Sequence, residues 1–244
     1  MLSKRINESK QVNQSVNELE DLESSKHSLL TLVKECLLEL KKHYGGTYID
    51  ERIQNSNLEE ILQHFSREQS KLFMFQGERA EESKKAKGQG SQPDLSVTIY
   101  TKPYVSNKKP FYIIECKWLK TKRVSNNKEI NDFTHSNQYV KGNTGGIERF
   151  KKGLYADWLT ESLIVGYVLH EDMPYWHEKV NEWIKKEVNN NSDKDKIVWC
   201  EWDLLKEDIK EELNPSFISH HIRKSKEKTE WDYICLKHLW IKMD

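Results

Sequence analysis

The run Leu163-Ile164-Val165-Gly166-Tyr167-Val168-Leu169 carries no charged side chain on either parity. A strand sends successive side chains to opposite faces, so such a run needs cover on both sides of its sheet, which flanking helices provide. The neighbouring chain supplies those helices. Leu29, Leu32, Val33, Cys36, Leu37, Leu40 and Tyr44 follow the i, i+3, i+4, i+7 spacing of one buried helix face, ended by Gly45-Gly46. Ser56-Asn57-Leu58-Glu59 has the form of a capping box and is expected to open a second helix, with Leu58, Ile61, Leu62 and Phe65 on one side. Further helices are predicted from Ile147 to Thr160, from Pro174 onward with Trp176, Val180, Trp183 and Ile184 inward, and from Asp203 to Leu213. Strands are predicted over Leu72 to Phe75, Leu95 to Thr101, Phe111 to Trp118, Ile197 to Trp202 and Tyr233 to Trp240, while residues 121 to 146 read as irregular. Helices and strands alternate, so the expected class is α/β, a mixed sheet flanked by helices.

The 244 residues suit one domain, expected over 29–244. Residues 1–28 have thinly spaced apolar side chains and read either as a solvated polar arm or as a helix that completes its packing on a partner, in a homo-oligomer or with another subunit. Charged residues reach 32%, yet eight Trp, ten Tyr and seven Phe argue against disorder. No apolar stretch approaches the roughly 20 residues of a membrane helix. The N-terminus MLSKRINESK lacks the apolar segment of a signal peptide, and Cys36, Cys116, Cys200 and Cys235 form no CxxC pair. The expectation is a cytoplasmic protein with reduced thiols.

Chemistry concentrates at Pro93-Asp94 and in Phe111-Tyr112-Ile113-Ile114-Glu115-Cys116-Lys117-Trp118, with twenty residues between Asp94 and Glu115. In a strand, Glu115 and Lys117 share a face with Ile113, while Ile114, Cys116 and Trp118 take the other. A carboxylate and an ammonium inside an apolar strand are costly unless paired, hydrogen-bonded or bound to a metal. Asp94 opens the preceding strand, and antiparallel pairing brings it beside Glu115. Two such carboxylates repel, and a divalent cation relieves the repulsion; Asp and Glu oxygens are the ligands Mg2+ prefers. Lys117 beside that cation can orient an attacking water or balance charge in a phosphorane-like transition state.

These residues resemble the PD-(D/E)xK nucleases of restriction-endonuclease-like fold. The resemblance covers about residues 50–170 and implies an αβββαβ core, with an N-terminal helical extension and an α/β elaboration over 171–244. It implies that Asp94 and Glu115 bind Mg2+, with Mn2+ able to substitute, and that Lys117 is catalytic. The expected activity is hydrolysis of phosphodiester bonds, in a DNA endonuclease of restriction, repair or anti-phage defence type. RNA as substrate, and a catalytically silent subunit that binds nucleic acid or a partner protein, are the alternatives. A further acidic ligand is expected, Glu78 first and Glu51 next. Gln138-Tyr139 stand where some members carry a Gln and a Tyr, although position 142 is Gly and breaks that spacing. The segment around Gly145-Gly146 reads either as a phosphate cradle with Arg149 nearby or as a flexible loop capped by Thr144, and Lys120, Lys122 and Arg123 read as phosphate contacts. The segment SFISHHIRKSK reads either as an exposed polar loop or as a phosphate contact.

Charge distribution bears on the partner. The chain balances 39 Lys and Arg against 39 Asp and Glu, but residues 84–128 hold eleven basic residues and only two acids, Asp94 and Glu115. A phosphate backbone attracted by that segment releases counterions on binding. Nucleic-acid affinity is therefore expected to fall steeply between 50 and 200 mM salt, by roughly tenfold or more. Fluorescence-anisotropy titrations at several salt concentrations check this; a flat profile would contradict a basic cleft.

Overall fold

The structure, a computed structural model, describes residues 2–47, 50–69, 73–77, 93–99, 109–125, 128–131, 137–141, 146–154, 157–190, 197–209, 216–224 and 231–244; the side chains of 2–21, 122–131, 209, 224 and 231 are outside that description. Helix α1 (Leu2–Tyr44) runs without interruption through the segment read either as a polar arm or as a helix. Leu29, Leu32, Val33, Cys36, Leu37 and Leu40 are fully buried along it, as the spacing predicts. It ends at Gly45-Gly46: Gly46 has φ 72°, a left-handed value that favours glycine, and its N–H donates to the Met243 carbonyl, tying the helix to the C-terminus.

Helix α2 (Glu51–Glu68) starts a turn and a half earlier than the capping-box pattern implies, because Asp50 is the N-cap and accepts from the Arg52 N–H. Glu59 then falls mid-helix. Together with Gln63 it accepts the N–H groups of Gly77 and Phe75, and Ser66 donates to the Phe73 carbonyl. All three contacts cover the outer edge of strand β1 (Phe73–Gly77). The chain continues through β2 (Leu95–Ile99), β3 (Tyr112–Leu119), a small hairpin of β4 (Lys122–Ser125) and β5 (Lys128–Asn131), α3 (Ile147–Lys151), β6 (Glu161–Val168), α4 (Met173–Asn189), β7 (Lys206–Ile209), β8 (Ser216–Lys224) and β9 (Trp231–Lys242). A seven-stranded sheet has the order β1-β2-β3-β6-β9-β8-β7, with β3, β6 and β9 parallel and the other neighbours antiparallel.

The buried strand β6 behaves as the sequence requires. Leu163, Val165 and Tyr167 face a core built with α1 and α2, and Ile164 and Val168 face a second core with α3 and α4. The class is a mixed α/β sheet flanked by helices. Among the described residues no helix is long and apolar enough to cross a membrane.

Several local expectations fail. The helix expected to Thr160 stops at Lys151, and Gly153 at φ 57° turns the chain, leaving Trp158 exposed. Residues 197–200 form no strand, and 201–203 make a single 3-10 turn. The helix expected from Asp203 is instead edge strand β7, at least to Ile209. The segment read as an exposed loop or phosphate contact is β8, in which His221 and Arg223 are buried.

A chain of buried hydrogen bonds explains that last failure. Trp240 Nε1–H donates to the Tyr139 hydroxyl (2.8 Å), which donates to His238 Nδ1 (2.7 Å). His238 Nε2–H then donates to Ser219 Oγ (2.7 Å), and Ser219 donates to His221 Nε2 (2.7 Å). His221 Nδ1–H and the Lys151 ammonium both donate to Asp203 Oδ1, and the Cys200 N–H donates to Oδ2. This order, assigned from the fixed donor at Trp240 and the fixed acceptor at Asp203, leaves every step with one donor and one acceptor. It requires both imidazoles to be neutral. Burial supplies that condition, pushing His221 down to about 4 despite the pull of Asp203 and His238 well below its ordinary value.

Trp240 has little room to move, since Gly166 of β6 lies against its ring and a Cβ there would collide with it. Gly166→Ala is expected to destabilise the fold by about 1–3 kcal/mol through overpacking. An unchanged urea midpoint would contradict this packing.

Candidate active site

Strand β2 pairs with β3 only from Leu95↔Ile114 to Val97↔Tyr112. Beyond Ile114, β3 continues without that neighbour, and its Cys116 and Trp118 N–H groups lose their ladder partners. Buried amides need acceptors. Two carboxylates supply them: Asp94 Oδ2 accepts from the Cys116 N–H at 2.8 Å, and Glu51 Oε2 from the Trp118 N–H at 3.0 Å. The divergence of two strands therefore draws Asp94, at the start of β2, and Glu51, in the first turn of α2, to the same stretch of β3. Gln54, one turn after Glu51, accepts from Trp118 Nε1 at 2.7 Å and holds the helix in place.

Glu115 and Lys117 complete the cluster. Lys117 Nζ lies 2.8 Å from Glu115 Oε1, 3.5 Å from Asp94 Oδ2 and 3.9 Å from Glu51 Oε1, and donates to the Cys116 carbonyl at 2.9 Å. Arg149 Nη1 is 3.8 Å from the same Glu115 oxygen. Lys120 packs its ammonium 4.0 Å from the centre of the Trp118 ring. Glu115 is 1% exposed, and among the described residues its Oε2 has no hydrogen-bond partner. Asp94 and Glu51 are the solvent side of the cluster, with side chains 18% and 33% exposed.

The electrostatics of the central pair are unequal. Burial, with the negative charge of Asp94 beside it, pushes the Glu115 carboxyl up to about 7 against the opposing pull of Lys117. Burial would pull Lys117 down, but Glu115, Asp94 and Glu51 outweigh it and raise the ammonium. Burial also raises Glu51, against Lys117. Lys117 therefore stays charged, while Glu115 is held only loosely as an anion.

The predicted residues Asp94, Glu115 and Lys117 thus converge, and Glu51 joins them. Glu78 lies outside the described residues. Arg149 reaches the cluster from α3. Tyr139 does not: it is fully buried, and its hydroxyl belongs to the His238–Trp240 chain, with Gln138 beside it in a 3-10 turn. Lys120 lies at the site, whereas Lys122 and Arg123 are in β4 with side chains outside the description. On sequence alone Glu78 stands ahead of Glu51 because it follows the Leu72 to Phe75 strand and leads toward Pro93; the Asp50 N-cap followed by an acid is the signal that points to Glu51.

Asp94, Glu115 and Glu51 present hard carboxylate oxygens, the donor type of Mg2+ and Mn2+, and the unpartnered Glu115 Oε2 fits a cation. Among the described residues no group of three or more His, Cys, Asp or Glu side chains is arranged to hold a metal ion; the group that all three carboxylates approach is Lys117 Nζ. Comparison with family models, curated proteins and solved structures finds no match to this chain.

Glu115 is expected to titrate near pH 7 in the cation-free protein. Carboxyl 13C shifts in Glu-labelled protein, assigned with Glu115→Gln, check this; a midpoint at the ordinary value of 4.5 would contradict the burial and charge described.

Proposed function

We propose that the chain is a divalent-metal-dependent nuclease that hydrolyses phosphodiester bonds, with DNA as its substrate class. One observation carries the reading: Glu115 is a buried carboxylate with an oxygen that has no hydrogen-bond partner among the described residues, set beside Asp94 and Lys117 where β2 leaves β3. A buried anion with an open oxygen is costly, and a hard cation removes that cost. The succession α2-β1-β2-β3, then the β4-β5 hairpin, then α3-β6 supports the reading, because apart from that inserted hairpin it follows the αβββαβ order that the PD-(D/E)xK resemblance implies. The basic composition of residues 84–128, the stretch of sequence that contains Asp94, Glu115 and Lys117, suits a phosphate backbone.

In this reading Asp94 and Glu115 hold Mg2+ or Mn2+, and Glu51 is the further acid. The cation supplies Lewis-acid polarisation of a phosphoryl oxygen. In the cation-free protein Lys117 is kept protonated by its three carboxylates, and its ammonium orients the attacking water or faces the charge developing on phosphorus. Asp94 and Glu51 open toward solvent, so substrate approaches from their side.

Purified protein incubated with supercoiled, linear and single-stranded DNA and with RNA, in Mg2+ or Mn2+ against EDTA, is expected to give EDTA-sensitive products. Asp94→Ala, Glu115→Ala and Lys117→Ala should each reduce cleavage by at least about 100-fold. Mg2+-dependent cutting retained by Asp94→Ala would sink the assignment, and no EDTA-sensitive product on any substrate would favour a silent binding subunit.

A further inference from the structure

We propose that the buried chain from Asp203 through His221, Ser219, His238 and Tyr139 to Trp240 is a positioning device, clamping α3 at both ends so that Arg149 is held against Glu115. The role in turnover rests on the reading of Asp94, Glu115 and Lys117 as the reacting centre; the clamp itself does not.

Helix α3 spans five residues, too few to be stable alone, since isolated helices below about 12–15 residues are marginal in water. Its hold must come from outside. At its C-terminal end Lys151 is buried and paired to Asp203, one terminus of the hydrogen-bonded chain. At its N-terminal end Gly146, with φ 76°, lies so close to the Gln138 and Tyr139 carbonyls that a Cβ would collide with them, and the Glu148 N–H donates to the Val140 carbonyl at 3.0 Å. Tyr139 is also the member of the chain that joins His238 to Trp240. The network therefore grips α3 before its first residue and at its last. Arg149 sits between the two grips, 9% exposed and directed at Glu115.

Cost supports a positional purpose. Buried polar chains and ion pairs are often no more stabilising than apolar side chains of the same volume, so their retained value lies in fixing one geometry. Here the geometry fixed is that of two strands, two 3-10 turns and the short helix that brings a guanidinium to the catalytic cluster. Asp203, His221, Ser219, His238 and Tyr139 act through Arg149 and touch no reacting atom, which makes them positioning residues.

Two variants test this. Lys151→Met/Asp203→Leu removes both charges at once and leaves no lone buried ion, and Tyr139→Phe cuts the other end while keeping the ring. The first readout needs no substrate: the Arg149 Nε–Hε signal in 15N NMR, assigned with Arg149→Lys. In each folded variant it is expected to shift and broaden. The second is DNA cleavage in Mg2+, where kcat should fall about tenfold with KM changed less than twofold, since a misplaced Arg149 affects the transition state more than binding. An Arg149 signal unchanged in either folded variant overturns the clamp. If wild-type protein cleaves nothing, the nuclease reading fails and the NMR readout alone decides the clamp; if cleavage is robust and kcat is unaffected by both variants, the clamp has no role in turnover and the proposal fails.

Discussion

A charge buried in an apolar sheet needs a partner, and β3 carries two such charges, Glu115 and Lys117, on one face. The surrounding architecture answers that demand. Strand β2 begins only at Leu95, opposite Ile114, so that Asp94 rather than a backbone carbonyl meets β3 beyond that point. Helix α2 begins at Glu51 and buries Gln54 and Asn55 in its first turns, before its apolar face starts at Leu58. Helix α3 brings Arg149 from the opposite layer.

A purely structural account of these acids is available and covers only part of them. Leaving a buried amide without an acceptor costs on the order of 1–3 kcal/mol, so Asp94 and Glu51 each have reason to cap β3. A neutral Asn or Gln would cap as well, without repulsion. Glu115 caps nothing, and its second oxygen has no partner among the described residues. The three carboxylates are matched by three cations, Lys117, Lys120 and Arg149, so the cluster is near balance. A divalent cation alone would leave it positive, and a phosphodiester arriving with the cation would restore much of that balance.

The sequence made β3, β6 and the Asp94–Glu115–Lys117 set legible, because strand alternation assigns faces directly and a charge at an inward position stands out. It concealed Glu51, since the start of α2 is polar wherever it faces the site and so carries no apolar periodicity. Strand β8 was concealed for the same reason: His221 and Arg223 look like surface residues, and bonds from His221 to Asp203 and from Arg223 to Asp232 and to the Asp157 and Leu159 carbonyls let them be buried. The helix expected over 147–160 failed on Gly153, whose left-handed backbone outweighed the helical spacing of Leu154 and Trp158. Periodicity locates what the hydrophobic effect buries; it does not register polar groups buried by long-range hydrogen bonding.

The central claim, that Glu115 is kept as a buried anion in order to hold a divalent cation, is tested most directly by calorimetric titration of Mn2+ into wild-type, Glu115→Gln and Lys117→Ala proteins. One site is expected in wild type and in Lys117→Ala, and its loss in Glu115→Gln. Mn2+ binding unchanged by Glu115→Gln, or absent from the wild-type protein with and without DNA, would contradict it.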